Sequence, residues 1–391
     1  MNSLILKKEV QQFIVEHLQT DITKLILKGS PFKGISIQEL ANQIVAKKKS
    51  EKKLPTWFQA ENIYYPNKLS IEQTSSETTA EYKSSLISGK SLVDITGGFG
   101  VDSYYFSKVF KSVVHCEIDE ELSTIVAHNY QQLTIKNIVT EAINGFDFLK
   151  TTTTFFDCIY IDPSRRNDVK QKVFLLKDCL PNIPPKIDFF FTKSNQILIK
   201  VSPILDITSS INELKNVKSI HVVALHNEVK ELLFLLEKNY DKEITITTIN
   251  IQKEKNQSFS FAFQEKETTK FSLPQKFLYE PNAAILKSGG FKNITSSYAV
   301  SKLHENSHLF TSETQIEFPG RSFKILEILS YEKKKLKKIV PNNKANITVR
   351  NFPKTVAQIR KETKINDGGN CYLFFTTDVN NDLRVIICEK C

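Results

Sequence analysis

No apolar run in this sequence approaches the roughly 18 residues that a membrane span requires. Its opening, MNSLILKKEVQQF, turns to charge too early for a signal peptide. A cytoplasmic protein without a membrane association is therefore expected. Cysteine is scarce, with six in the chain, and Cys116, Cys158 and Cys179 stand singly in apolar or helical contexts, which implies no disulfide framework. Cys388 and Cys391 form a CxxC, but zinc would need two more ligands at compatible spacing, so no metal site is expected. Repeats and low-complexity tracts are missing too. Arginine is rare: six among 53 basic residues. Two of the six stand side by side at Arg165 and Arg166.

What is present suits a globular protein of two or three domains, with 391 residues and 40% hydrophobic content. The formal net charge of +10 and pI near 9.0 fit a polyanionic partner, because basic side chains near phosphates release counterions. A lysine-rich composition gives the same charge without such a partner.

The first seventy or so residues read as helices, with ISIQELANQIVAKKKSEKKLPTWF showing apolar spacing near 3.6 until a lysine run and Pro55 end it. A helix is expected to open at Ser75 or Ser76, ahead of Glu77. From Ser91 strands alternate with helices: SLVDIT, SVVHCEI, NIVTEAI, FDCIYID, QILIKVS, SIHVVAL and EITITTINI are read as strands. The segments between them, VFLLKDCL and EVKELLFLLEK included, are read as helices. This alternation predicts a doubly wound parallel sheet of the Rossmann type. It is lost after Phe263, and from about residue 280 a smaller α+β unit is expected, with ITVRNF, TVAQIRKET, CYLFFTT and LRVIICEK as strand, helix and hairpin.

The strand FDCIYI has no polar alternation and stops at Pro163, which forbids continuing the ladder. Asp162 thus sits at a strand's carboxyl end, where open α/β sheets bind ligands. The first strand ends in D-I-T-G-G-F-G, Asp94 to Gly100, where glycines let the backbone turn tightly and approach a ligand. The loop is G-G-x-G, not G-x-G-x-x-G, and Asp94 and Asp102 flank it. Those carboxylates would repel a pyrophosphate, whereas a cationic nucleoside such as S-adenosylmethionine suits them better. Glu117 at the second strand's tip can accept two ribose hydroxyls from any nucleoside cofactor. Asp147, in N-G-F-D-F, can meet an adenine amino group or act as a helix cap, with Phe146 or Phe148 available to cover the ring.

In strand order 3-2-1-4-5 the first and fourth strands flank the switch point, so Asp162 is expected beside the glycine loop. The order D-x-T-G-G-x-G, E-x-D, G-x-D and D-P-S-R-R resembles the class I adenosylmethionine-dependent methyltransferases. EQTSSETTAEYKSSL, KVSPILDI, YEPNAAILKSG and VRNFPKTVAQIRK make the likeness specific to a bacterial THUMP-like group, distantly similar to trimethylguanosine synthases. The resemblance covers about residues 60 to 391. It implies that Asp94, Thr96, Gly97, Gly98, Gly100, Glu117 and Asp147 bind S-adenosylmethionine, and that Asp162 and Pro163 hold the methyl acceptor, with Ser164 and Arg165 completing the motif.

Relatives carrying acid-Pro-Pro-aromatic aim an exocyclic amine at the methyl group. Here Ser164 and Arg165 replace the second proline and the aromatic, so an arginine plane is left to stack on a base or pair with a phosphate. Lys200, Ser202, Pro203, His226, Asn227 and Glu228 mark further strand ends. The lysine run YEKKKLKK is either a solvated face or an RNA contact. Expected boundaries are 1–75 for an N-terminal helical region, 76–265 for the S-adenosylmethionine-binding domain and 280–391 for a THUMP-like, ferredoxin-like unit contacting RNA. The expected activity is methyl transfer to an exocyclic base nitrogen of RNA. Methylation of a small molecule or protein, and a non-catalytic RNA-binding assembly factor, stay open beside it.

Overall fold

A computed structural model describes residues 1–165, 175–264, 268–332, 336 and 339–391 of the chain. The chain divides into two compact units, one of Met1–Lys218 and Leu233–Lys242, the other of Ser219–Leu232 and Glu243–Cys391.

In the first unit the strands β1 (Gly89–Asp94), β2 (Phe110–Cys116), β3 (Ile138–Glu141), β4 (Phe156–Ile161) and β5 (Ser194–Val201) run parallel in the order β3-β2-β1-β4-β5. The central strands are buried on both faces: Leu92, Val93 and Asp94 are buried in succession, as are Cys158 to Ile161. That explains their unbroken apolar reading. A short helix, Val101–Phe106, follows β1, and Glu120–Gln132 follows β2 with Asp119 as N-cap.

The N-terminal helices belong to this unit's core. Trp57, fully buried, packs 4.8 Å from Tyr104 and 6.3 Å from Phe99, and the apolar cluster that contains Ile5, Leu40 and Trp57 continues into Val101, Tyr105, Val126 and Tyr130. Helix Glu77–Ser84, capped by Ser76, fastens the two parts together. Lys83 is fully buried, with its Nζ 3.1 Å from Asp102 Oδ1 and donating to Ser75 Oγ at 3.0 Å. Asp102 Oδ2 accepts from Ser75 Oγ (2.9 Å) and from the Tyr160 hydroxyl (2.7 Å). Glu77 accepts from the Thr56 N–H and hydroxyl and from the Tyr105 hydroxyl.

Two segments differ from the sequence reading. EVKELLFLLEK forms a strand, β7 (Glu228–Glu237), in which Glu231 to Leu236 are buried in succession, and not a helix. His226 and Asn227, with φ of 51° and 64°, make the tight turn that leads into it from β6 (Val217–Leu225). A leucine-rich run has helical propensity, but a strand buried on both faces satisfies the same side chains and pairs the backbone as well. The described part of VFLLKDCL is a single 3-10 turn, Leu176–Asp178, followed by a two-residue strand, Cys179–Leu180.

In the second unit β8 (Thr245–Ile251) pairs parallel with β6 and antiparallel with β9 (Gln257–Ala262). A separate sheet contains β10 (Phe277–Pro281), β11 (Ser301–Lys302), β12 (Phe310–Ser312), β13 (Gly320–Ser330), β14 (Asn346–Arg350), β15 (Tyr372–Thr377) and β16 (Leu383–Lys390). Its order is β11-β12-β10-β13-β16-β15-β14. Helix Val356–Thr363 opens with a capping box of Thr355 and Gln358. Of the lysine run, residues 333–335 and 337–338 lie outside the described residues. Among the described residues no helix is long and apolar enough to cross a membrane.

Lys83 is the interaction to break. Lys83→Met should cost about 3–5 kcal/mol in urea unfolding, because it strands a buried carboxylate, and adding Asp102→Asn should recover part of that loss. A change below about 0.5 kcal/mol would show that the pair carries no charge.

Candidate active site

The carboxyl edges of β2, β1 and β4 bring most of the candidate residues together. Asp94 lies in register with His115 on β2 and Tyr160 on β4. The chain leaving β1 keeps bonding both neighbours: the Ile95 N–H donates to the Tyr160 carbonyl (3.1 Å) and the Gly97 N–H to the Cys116 carbonyl (2.8 Å). Thr96 Oγ1 accepts from the Asp162 N–H at 2.7 Å, so the end of β4 is tied to the glycine loop. Glu117 is half-buried, and its two oxygens accept the Gly98 N–H (2.8 Å) and the Asp119 N–H (2.9 Å).

Two of the loop glycines are required by contact. A Cβ on Gly97 would fall 2.2 Å from His115 Nε2, and one on Gly100, where φ is +79°, would fall 2.2 Å from the Tyr130 hydroxyl that donates to the Gly100 carbonyl. His115 is wholly buried under the loop, and neither of its ring nitrogens has a hydrogen-bond partner among the described residues. Burial pulls its imidazole down to about 4, so the ring is neutral and packs as the floor of the loop.

The acids are differently placed. Asp94 is buried, with Oδ2 accepting from Ser103 Oγ at 2.7 Å and Oδ1 from the Thr96 N–H at 3.0 Å. Burial, with Asp102 and Asp162 nearby, pushes its carboxyl up to about 7 against the pull of those two donors. Burial also works against charge on Asp102, but Lys83 and Lys200, with the hydrogen bonds of Tyr160 and Ser75, hold its carboxyl below the ordinary value. Asp102 is thus turned into the core and is spoken for. The half-buried Asp162 makes an ion pair through Oδ2 with Lys200 of β5, and Pro163 beside it is buried.

Asp147 stands apart from this group. Asn144, not Asp147, caps helix Gly145–Thr151, accepting from the Phe146 N–H at 3.0 Å. Asp147 is exposed and ion-paired with Lys150 at 2.7 Å. Its loop is nonetheless pressed against the first, since a Cβ on Gly145 would fall 2.3 Å from the Ile95 carbonyl oxygen. Phe146 packs edge-on to Phe189 with Lys150 and Lys186 over its ring, and Phe148 leans on Phe156. Ser164 is exposed, and Ser164 and Arg165 pair antiparallel with Leu180 and Cys179, while Arg166 lies outside the described residues. Of the other strand ends, His226 and Asn227 form the turn already noted, and Asn227 Oδ1 accepts the Ala283 N–H. A cleft of about 160 Å³ lined by Glu39, Gln43, Tyr64, Asp119 and Leu122 contains none of the candidate residues. Among the described residues no three His, Cys, Asp or Glu side chains group as metal ligands.

Comparison with known proteins matches residues 320–390 to a THUMP domain-like family and residues 277–319 to a ferredoxin-like domain. Across its whole length the chain is similar to a crystal structure described as a "putative methyltransferase from Porphyromonas gingivalis W83". The two are 31% identical, with 100% of this chain and 98% of that one covered at a TM-score of 0.89. The chain belongs to the THUMP-like methyltransferase family. Partial likenesses include an rRNA methylase from Streptococcus thermophilus (13% identity, 41% of this chain and 94% of that one, TM-score 0.31). Another is a tRNA methyltransferase from M. jannaschii (12%, 43% and 51%, TM-score 0.31). No curated protein matches.

In this methyltransferase, sequence reasoning singled out the edge acids and missed most of what braces them: Ser103, His115, and Lys83 with Ser75. The sequence marks Lys200 only as a strand end. A lysine inside an otherwise apolar strand, as in ILIKV, is the signal that points to it.

Two tests follow. Gly97→Ala should destabilise by about 1–3 kcal/mol through overpacking, and in Gly97→Ala/His115→Ala the combined loss should fall short of the sum. Strict additivity would mean that His115 does not bear on the loop. For Asp94 the folded value lies above the ordinary 3.8, so its contribution to stability is complete below that pH and is lost as pH rises through 7. The Tm of the native chain relative to Asp94→Asn should therefore fall between pH 5 and pH 8. A constant difference over that range would show that the folded Asp94 does not titrate there.

Proposed function

We propose that this methyltransferase uses S-adenosylmethionine and methylates an exocyclic base nitrogen of RNA. The bond from the Asp162 N–H to Thr96 Oγ1 carries the reading, because it holds the acceptor-side strand end and the glycine loop as one rigid edge.

The residues fit such a cofactor. At Gly98 a Cβ would meet nothing nearer than the Thr96 carbonyl oxygen at 3.9 Å, so space is open over the loop there, while His115 floors the loop at Gly97. The donor set at the edge is acidic, as a cationic ligand wants and a pyrophosphate does not. Glu117 has one lone pair left on each bonded oxygen for ribose hydroxyls. Asp94, Thr96, Gly97, Gly98 and Gly100 would cradle the remainder, and a cation nearby would favour ionised Asp94. Asp147 would reach the adenine amino group after releasing Lys150, an exposed pair that is cheap to open. The cofactor supplies an electrophilic methyl group on a sulfonium.

On the acceptor side, Lys200 fixes the Asp162 carboxylate through Oδ2, leaving Oδ1 and the following backbone carbonyl to accept hydrogens of an amine. That would keep the nitrogen lone pair aimed along the edge, and Asp162 would stabilise positive charge as the C–N bond forms and the methyl–sulfur bond breaks with its electron pair left on sulfur. The amine proton then leaves to water. Pro163 stiffens the turn, and Ser164 and Arg165 border the acceptor. RNA as the partner rests on the THUMP-like match and the charge of +10. Residues 1–75, 76–265 and 280–391 would then serve as brace, methyltransferase and RNA-holding parts of a cytoplasmic protein.

The test is transfer of labelled methyl from S-adenosylmethionine to fractionated RNA, protein and metabolites, native chain against Asp162→Ala. Label in RNA that falls by about 100-fold or more in the variant is expected. Label in protein or metabolites instead would make one of those the acceptor, and cofactor binding without label in any fraction would mean a non-catalytic RNA-binding factor.

A further inference from the structure

Two of the six arginines end on the same carboxylate. In the second unit, Arg321 of β13 donates through Nε (2.7 Å) and Nη2 to Glu280 Oε2, and Arg350 of β14 donates through Nε (3.2 Å) and Nη2 (2.9 Å) to Glu280 Oε1. Arg321 Nη2 also reaches Thr348 Oγ1 at 3.4 Å. Glu280 is 5% exposed, while the two arginine side chains are 42% and 37% exposed. Each guanidinium is therefore pinned along one edge. Its Nη1 has no hydrogen bond among the described residues and belongs to a side chain that reaches solvent.

The charges do not balance. One buried carboxylate is neutralised by one arginine, and the second leaves a net charge of +1 held in place by rigid bonds. More positive charge stands close by: after burial, both Lys302 and Arg350 disfavour protonation of His308, whose imidazole is pulled down to about 4. Lys302 is itself committed to the Glu305 carbonyl and to the face of Phe291. An ion pair that served only to clamp β10 to its neighbours would need a single arginine. Two guanidiniums spread from one carboxylate, each with a free edge, present the planar paired donors that bind phosphate oxygens.

We propose that Arg321 and Arg350, oriented by Glu280, form a phosphate-binding site in the second unit that takes a backbone phosphate of RNA. That the phosphate belongs to RNA rests on the acceptor proposed above, whereas the oxyanion site does not.

The experiment measures, on the full chain, binding of a labelled 20-nucleotide RNA of mixed sequence at several salt concentrations, and binding of inorganic phosphate. Native protein is compared with Arg350→Gln and Arg350→Lys, with Tm and S-adenosylmethionine binding followed for each. Arg350→Gln should weaken RNA binding about fivefold and lower the salt slope by about one. Arg350→Lys, which keeps the charge and loses the fork, should fall between, and cofactor binding should stay as in the native chain. RNA and phosphate binding unchanged in both variants, whatever the Tm, would overturn the site and leave a structural clamp. Loss of phosphate binding with RNA binding intact would overturn the RNA assignment. Binding reads this site and label transfer reads the acceptor, so either can fail while the other stands.

Discussion

A carboxyl group cut off from water has to be solvated by the protein, and Asp94 is solvated by the loop that it introduces. Its oxygens take the Thr96 N–H and the Ser103 hydroxyl, which fixes the path of the chain on both sides of the glycines. Thr96, so placed, offers its own hydroxyl to the Asp162 N–H. One buried acid thus sets the loop, the start of helix Val101–Phe106 and the end of β4. His115 completes the constraint from below by filling the space that any residue other than glycine at position 97 would need. Of these bonds the one from Ser103 to Asp94 is buried away from water and the two at Thr96 are partly so, which braces the edge from its inner side.

Much of this was legible in the sequence because it is local. Unbroken apolar runs ending in acid or proline mark β1 and β4 and put Asp94 and Asp162 at one edge, and the sheet order that joins them follows from the alternation of elements. The hairpin through His226 and Asn227 was not legible. Its second strand is rich in Leu, Glu and Lys, and only burial on both faces, a property of the assembled sheet, makes it a strand. Its turn also lacks the Asn-Gly pair that would have announced it.

The charged braces were illegible for a different reason. A lysine in a helix such as ETTAEYKS reads as solvent-facing. What buries Lys83 is Asp102, nineteen residues later, together with Ser75 and Tyr160. Asp102 itself read as a charge facing the ligand, and it is turned inward. Glu280 and Arg350 are seventy residues apart and meet only once a sheet has formed. Spacing cannot show such pairs, although the rarity of arginine in this chain makes each one worth tracing.

The core shared by Trp57, Phe99, Tyr104 and Val126 bears on portability. The Rossmann-type sheet here is not a cassette that could be cut out and moved to another chain. Phe99 lies inside the glycine loop and leans on Trp57, so a fragment beginning at residue 76 would carry an open apolar wound beside that loop. Shortening or replacing the N-terminal helices would therefore require rebuilding that loop at the same time.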